Sequence, residues 1–435
     1  MKTLIQNVEI ITMDAQNPYY PEGVILFSGD TIEYVGCLSE LEANLGKLCM
    51  DEVKVVDGKG MLALPGFINA HTHIAMTAFR GYADNLPLSE WLSEKIWPME
   101  DRLKPGDSYW LSLLGAAEMI SAGVTAFSDM YMFTPDIAQA VSDCGMRAVL
   151  SRGLTGPDEN TEMKFKEVEE LAQWQSRTKG RIRMMMGPHS VYTCSPEFLQ
   201  TCRQWAERYR VGIHIHLSET AREVADCMRQ YDKTPVRHLF DLGFFDLPVV
   251  AAHCVHLTHD DMDLMARYHV KAVHCPSSNM KLASGFAPVD EMLERGITVS
   301  LGTDGAASNN NLSILKEMSL AALIAKGYTG DARAVPAQTA LEMATISGAK
   351  ALLMSDEIGS LKAGKKADIQ LIDISSPHYY PKEDPVVHLV YSGYSGDINT
   401  VIINGRVVMQ DRELVTIDLD RVCREVDRIV KRIRL

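Results

Sequence analysis

The chain has 435 residues, 46% of them hydrophobic and 23% charged, which is enough apolar sequence for a large core and more length than one ordinary domain uses. Acidic side chains outnumber basic ones by 57 to 43, a formal net charge of −14, which argues against nonspecific nucleic-acid binding and against docking on an anionic membrane. Nine cysteines form no Cys-x-x-Cys pair, no apolar run approaches the ~20 residues that span a bilayer, and Asn7 and Glu9 stand where a signal peptide would be apolar, so a cytoplasmic protein with free thiols is expected.

Residues 1–58 read as short β-strands. Val24 to Phe27 and Thr31 to Val35 flank the turn Ser28-Gly29-Asp30, and Val53 to Val56 is closed by Asp57-Gly58. These strands are too few for a stable sheet alone. From 59 to 358 apolar strands alternate with helices. Strands are expected at 64–73, 124–130, 146–153, 182–189, 211–219, 249–256, 271–278 and 298–305. A loop is expected from His73 to about Pro105, then a helix at 107–122 stopped by Gly123, with later helices at 312–326 and 336–353. Eight strands alternating with helices predict an α/β fold, a (β/α)8 TIM-like barrel. Strand character returns from Ile369 to Ile374 and in a hairpin turning at Asn404-Gly405. The simplest arrangement joins 1–58 and 359–413 into one small composite β-sandwich domain, with the barrel inserted between. Residues 414–435 hold a charged amphipathic helix, packed on the fold or on a second subunit, which permits a homo-oligomer without showing one.

The chemistry concentrates where these strands end. The run Leu62-Ala63-Leu64-Pro65-Gly66-Phe67-Ile68-Asn69-Ala70 closes in His71-Thr72-His73. Residues two apart on a strand share a face, so His71 and His73 project together as half of a metal site. Three later strands end in His216, His253 and Asp304. A barrel gathers the C-terminal ends of its strands at one mouth. Imidazole and carboxylate ligands suit Zn²⁺, with Fe²⁺ or Mn²⁺ also accommodated. Such a metal lowers the pKa of bound water toward about 7–9. Asp304 can ligate the metal and accept the water's proton, and His253 can hydrogen-bond the attacking oxygen. Glu219, three residues after His216, can protonate a ring nitrogen beside the attacked carbon. His214 should share the face of His216 but reads as a packed inner-layer group, and His274 stands at a strand end without a partner pattern. Met184-Met185-Met186 reads as core.

On Pro65-Gly66-Phe67-Ile68-Asn69-Ala70-His71-Thr72-His73, His216-Leu217-Ser218-Glu219, Ala252-His253-Cys254-Val255-His256 and Gly302-Thr303-Asp304, the chain resembles the amidohydrolase superfamily, in its mononuclear deaminase branch. The resemblance implies His71, His73, His216 and Asp304 as ligands of one divalent metal per subunit, His253 beside the attacking water, and Glu219 as proton shuttle. Two-metal members carry a Lys near the fourth strand; 182–189 has none.

Within that branch the chain is similar to the 5'-methylthioadenosine/S-adenosylhomocysteine deaminase family. The matching stretches are Trp97-Pro98-Met99-Glu100-Asp101-Arg102-Leu103, Met146-Arg147-Ala148-Val149-Leu150-Ser151-Arg152-Gly153, Gly187-Pro188-His189-Ser190 and Asp304-Gly305-Ala306-Ala307-Ser308-Asn309-Asn310. By that resemblance Glu100 holds the two ribose hydroxyls, a role a carboxylate suits as a bidentate acceptor. Arg152 and His189 line the substrate pocket, Trp97 lies against the nucleoside, and Glu219 and Asp304 also meet the substrate. The implied activity is metal-dependent deamination of a 5'-substituted adenosine to the inosine analogue plus ammonia, with a small-molecule nucleoside as partner and neither nucleic acid nor membrane. The alternative is a related aminohydrolase or chlorohydrolase acting on guanine, a pyrimidine or a triazine. Relatives that accept S-adenosylhomocysteine place a base, typically Arg, after this third strand; here the loop 155–162 is acidic and its first bases are Lys164 and Lys166. Smaller 5' groups gain by that difference.

Overall fold

The structure, a computed structural model, describes residues 2–45 and 53–435; Cys49 lies outside them. Eight parallel strand positions form the barrel. In order they are Phe67–Thr72, Val124–Tyr131, Arg147–Leu154, Ile182–Met184 with Gly187–Pro188, Ile213–Leu217, Val249–His253, Lys271–His274 and Val299–Leu301. Parallel pairing runs through the first four positions and through the last four. A bridge between Met186 and Ile213 joins the two halves, and the Asp304 N–H donates to the His71 carbonyl at 3.0 Å beside the closing seam.

Both chain ends build a second, nine-stranded sheet around Lys2–Ile11. This strand pairs antiparallel with Tyr19–Ser28 and parallel with Val53–Asp57 and Met61–Pro65. Met61–Pro65 then pairs with Ile369–Asp373, and the sheet continues through Ile398–Ile403, Arg406–Gln410 and Glu413–Leu414. Arg147, on the third barrel strand and almost wholly buried, ties the sheet to the barrel: its Nε donates to Asp368 Oδ2 at 2.7 Å and one Nη to Asn404 Oδ1 at 3.0 Å. Removing the Asp368 carboxylate or the guanidinium would leave a buried charge unpaired, a cost of about 3–5 kcal/mol. The terminal helix, Leu419–Arg434, buries Val422, Val426, Ile429 and Ile433. That spacing makes one apolar stripe. It packs on the helix Asp107–Ser121, and Arg102 donates to the Ile433 carbonyl at 2.7 Å. The stripe is therefore covered by the same chain.

Several boundaries depart from the sequence expectation. The expected strand 64–73 breaks at Gly66, where a Cβ would lie 2.1 Å from the Thr125 side chain, so Met61–Pro65 joins the outer sheet and Phe67–Thr72 the barrel. The expected strands ending at 219, 256, 278 and 305 are shorter. Ser218, His253 and Asp304 take positive φ of 50°, 73° and 59°, which turns the chain out of the strand, and Pro276 starts a helix directly after the strand ending at His274. The expected helix 336–353 is two, Ala337–Ala344 and Ile346–Ala351, broken at Thr345, whose φ of −131° is not helical. The expected loop after His73 is largely helical turns, at Ile74–Phe79, Leu88–Glu90, Trp91–Ile96 and Trp97–Glu100. They stand over the C-terminal ends of the barrel strands.

Candidate active site

The barrel mouth opens into a cavity of about 760 Å³ that Trp91, Ile96 and Trp97 help to wall. His71 lies beneath it, fully buried at the end of the first strand. Its Nε2 is 3.4 Å from Asp304 Oδ1, and the Nε2 of His73 is 3.1 Å from the same oxygen. His216 Nε2 faces His73 Nε2 at 3.3 Å. Nitrogen and oxygen donors from three strand ends thus converge on one small volume.

The ring partners decide which nitrogens are bare. His73 Nδ1 meets the Met130 carbonyl, and His216 Nδ1 meets the His189 carbonyl at 2.8 Å. A carbonyl only accepts, so each Nδ1 carries a hydrogen, and Nε2 is the nitrogen whose lone pair faces the centre once the ring is neutral. His71 Nε2 is buried with no hydrogen-bond partner among the described residues. An orphaned buried polar nitrogen is costly. Two further bare imidazole nitrogens and a carboxylate beside it are the donor set of a divalent metal. The residues present fit such an ion.

Asp304 is held by its surroundings. Its Oδ2 accepts from Ser278 Oγ at 2.6 Å and from Ser308 Oγ at 2.8 Å, which turns Oδ1 toward the histidines. Thr72 and Thr303 hydroxyls donate to its carbonyl at 2.9 and 3.0 Å. The nearby Gly302 packs so closely that a Cβ would lie 2.9 Å from both the His71 Cβ and its carbonyl. Burial alone would raise the Asp304 carboxyl, but the His71 and His73 rings outweigh it and hold the group well below the usual carboxylate range. For His73 the balance also runs against burial: desolvation opposes its charge, yet Asp304 and the Met130 carbonyl lift it to about 9.

His253 ends the sixth strand, its Nδ1 2.9 Å from Asn279 Oδ1 and its Nε2 3.8 Å from Glu219 Oε2. Glu219 is almost wholly buried and accepts from Ser284 Oγ at 3.3 Å; burial raises its carboxyl above the ordinary value. Glu100, which lines the same cavity, is also buried, with Oε1 accepting from Tyr131 Oη at 2.7 Å, and burial raises it too. Arg152 lies along Glu167, Nε to Oε1 3.1 Å. His189 sits just past the fourth strand position, its ring 4.5 Å from that of His216, and burial lowers it to about 3. Trp97 lines the mouth, 39% exposed. Every site residue expected from the sequence borders this cavity except His71, which lies below its floor.

The two candidate bases of the 155–166 region differ. Lys166 is exposed and does not line the cavity, whereas Lys164 is buried and does. Lys164 Nζ donates to the Thr155 carbonyl at 2.8 Å, to Thr155 Oγ1 at 2.9 Å and to the Asp158 carboxylate. An ammonium has three donors, and these are three partners.

Sequence reasoning passed over several supports. Ser278, Ser308 and Asn279 hold Asp304 and His253, and Tyr131 holds Glu100. Glu223 accepts the backbone N–H of Ser218 at 3.0 Å and of Glu219 at 2.7 Å. The one available signal was Thr220-x-x-Glu223 opening a helix, and Thr220 does cap Ala221–Tyr231. Ser308 is four residues from Asp304 but on no regular element with it, and the contacts of Ser278, Asn279 and Tyr131 join residues 26 to 31 apart that leave no local pattern.

The amidohydrolase family pattern matches residues 62–408. A 5-methylthioadenosine/S-adenosylhomocysteine deaminase of Caldanaerobacter subterraneus subsp. tengcongensis is 48% identical over 435 residues, covering 98% of each chain. Among solved structures, an adenosine deaminase from Xanthomonas campestris with bound zinc is 32% identical with a TM-score of 0.94, covering 99% of this chain and 98% of its own. An atrazine chlorohydrolase from Arthrobacter aurescens, complexed with zinc, is 25% identical with a TM-score of 0.89, covering 98% and 100%. With the family pattern spanning most of the chain, and strand-end histidines and an aspartate at one barrel mouth, this protein belongs to the amidohydrolase family.

Proposed function

We propose that the protein hydrolyses the 6-amino group of a 5'-substituted adenosine, giving the inosine analogue and ammonia. The observation that carries this reading is the pair of buried carboxyls that line one cavity together with the strand-end histidines and Asp304. Glu219 stands beside His253, and Glu100, held by Tyr131, lines the same cavity. The full-length relative named for this reaction supports it.

His71, His73, His216 and Asp304 would hold the metal, with Zn²⁺ favoured by the donor set and by the zinc in two neighbouring structures. The ion would supply a lowered pKa for the attacking water. Asp304 takes the proton that the water loses as its oxygen adds to C6. Glu219, whose raised proton affinity keeps it available as an acid, protonates the adjacent ring nitrogen. His253 hydrogen-bonds the new oxygen on C6. The proton held by Asp304 passes to the amino group, the C6–N bond breaks and ammonia leaves, while the hydroxyl proton on the C6 oxygen returns to Glu219 to give the 6-keto product and restore the acid. Glu100 accepts hydrogen bonds from both ribose hydroxyls. Arg152 and His189 contact the nucleoside, and Trp97 covers it at the mouth.

The 5' group is the finer question. Because the Lys164 donors are taken by Thr155 and Asp158, this lysine has none left for an amino-acid carboxylate. Asp158 and Glu167, with apolar Met163 and Phe133, also line the cavity. These features favour an uncharged 5' substituent, as in 5'-methylthioadenosine or 5'-deoxyadenosine, over the homocysteine tail. The test is a panel of 5'-methylthioadenosine, S-adenosylhomocysteine, 5'-deoxyadenosine, adenosine, adenine, guanine and cytosine, followed by ultraviolet absorbance and ammonia release. Turnover of the adenosines far above that of any free base is expected. Turnover of guanine or cytosine alone would overturn the nucleoside reading.

A further inference from the structure

We infer that His214 is a positioning residue that fixes which ring nitrogen of His71 carries the hydrogen, through a directional chain, Ser128–His214–His71, running from the barrel interior to the proposed metal site. The inference rests on the ligand reading above. His214 is fully buried one layer below the site, on the fifth strand. Its Nε2 lies 2.8 Å from His71 Nδ1, and its Nδ1 lies 3.2 Å from Ser128 Oγ. The His71 and His214 rings meet edge to face, with centroids 5.0 Å apart.

Two facing ring nitrogens at hydrogen-bonding distance need one proton between them. If His214 Nε2 carried it, neutral His71 would have to carry its own proton on Nε2, aimed at the converging donors and blocking the site. If His71 Nδ1 carries it, His71 Nε2 is bare, which matches its having no hydrogen-bond partner among the described residues, Asp304 Oδ1 standing 3.4 Å away. Only the second arrangement leaves a nitrogen lone pair for a cation. It obliges His214 to accept at Nε2 and therefore to carry its proton on Nδ1, where Ser128 Oγ can accept. His73 and His216 obtain the same state from backbone carbonyls. His71, in the barrel interior, obtains it from a side chain. The partner of a metal-bound histidine is usually a carboxylate, a carbonyl or water. Here a neutral imidazole fills that place, so no further negative charge is added to a site that already holds Asp304.

The test compares two variants by zinc affinity, measured by competition with a chelator on the full-length protein. His214→Gln keeps an acceptor at the height of Nε2 and should bind zinc within a few-fold of the parent. His214→Leu has similar bulk and no acceptor and should lose about 10–100-fold. Equal affinity of parent and His214→Leu would overturn the inference. Should the leucine variant not fold, nitrogen NMR of zinc-loaded, histidine-labelled parent decides: a proton on Nδ1 of both His71 and His214 is expected, and a proton on His214 Nε2 refutes it. If His71→Gln also leaves zinc affinity intact, the ligand reading itself is wrong, a result distinct from failure of the chain behind it.

Discussion

Glu223 Oε2 accepts the backbone N–H of Glu219 at 2.7 Å while its Oε1 takes the neighbouring Ser218 N–H at 3.0 Å. Ser218 has φ of +50°, a conformation a serine adopts at a cost, and the buried carboxyl on the helix that follows is what holds it. Glu223→Gln retains one acceptor and presents a donor where the second stood. We expect kcat to fall about tenfold or more with KM and zinc content nearly unchanged, because the turn that aims Glu219 loosens. Glu223→Asp should fall between the two. Steady-state kinetics with metal analysis checks this, and loss of zinc instead would assign Glu223 to the fold.

Glu219→Gln cannot donate and recycle a proton. Turnover should drop by about 10²–10⁴-fold with zinc retained. Loss of zinc on this substitution, measured by metal analysis, would make Glu219 a ligand.

Glu100→Ala should weaken kcat/KM for adenosines by roughly 10–100-fold, the worth of hydrogen bonds to a charged group, while leaving the low rate on free adenine unchanged. Equal loss on both substrates would remove the ribose role.

Asp158→Asn takes the counter-charge from Lys164 and frees the ammonium to meet a carboxylate. The ratio of kcat/KM for S-adenosylhomocysteine to that for 5'-methylthioadenosine should rise several-fold over the parent. An unchanged ratio would show that Lys164 does not border the 5' group.

His73 couples metal binding to pH. Its folded pKa is raised to about 9 by Asp304, so in metal-free protein at pH 7 the ring is protonated and binding must expel that proton. Zinc affinity should rise with pH up to about 9 and then level. Calorimetry at pH 7 in buffers of different ionisation enthalpy should find about one proton released per zinc, falling toward zero above pH 9. No release at pH 7 would contradict the His73–Asp304 pairing.

Much of the site is legible in the amino-acid sequence because it follows local periodicity. His71 and His73 share a strand face, and His216, His253 and Asp304 each end an apolar run, so the barrel topology alone brings them together. The ends of those strands are less legible. They depend on left-handed turns at Ser218, His253 and Asp304, whose residue types do not announce a positive φ. Lys164 illustrates the same limit: the sequence places a base near the loop, but only packing puts Thr155 and Asp158 around its ammonium.

By itself the sequence determined the alternation of strands and helices, the inner ring of candidate ligands and the acid three residues past His216, since each is written in spacing along one element. The tertiary structure alone decided which nitrogen of each ring is bare, that His214 stands behind His71, that Glu223 braces Glu219, and that Lys164 is occupied. The first two are set by how distant barrel strands pack; the last two span only four to nine residues, but the turn at Ser218 and the fold of the loop after Leu154 decide them, and neither is written in the spacing.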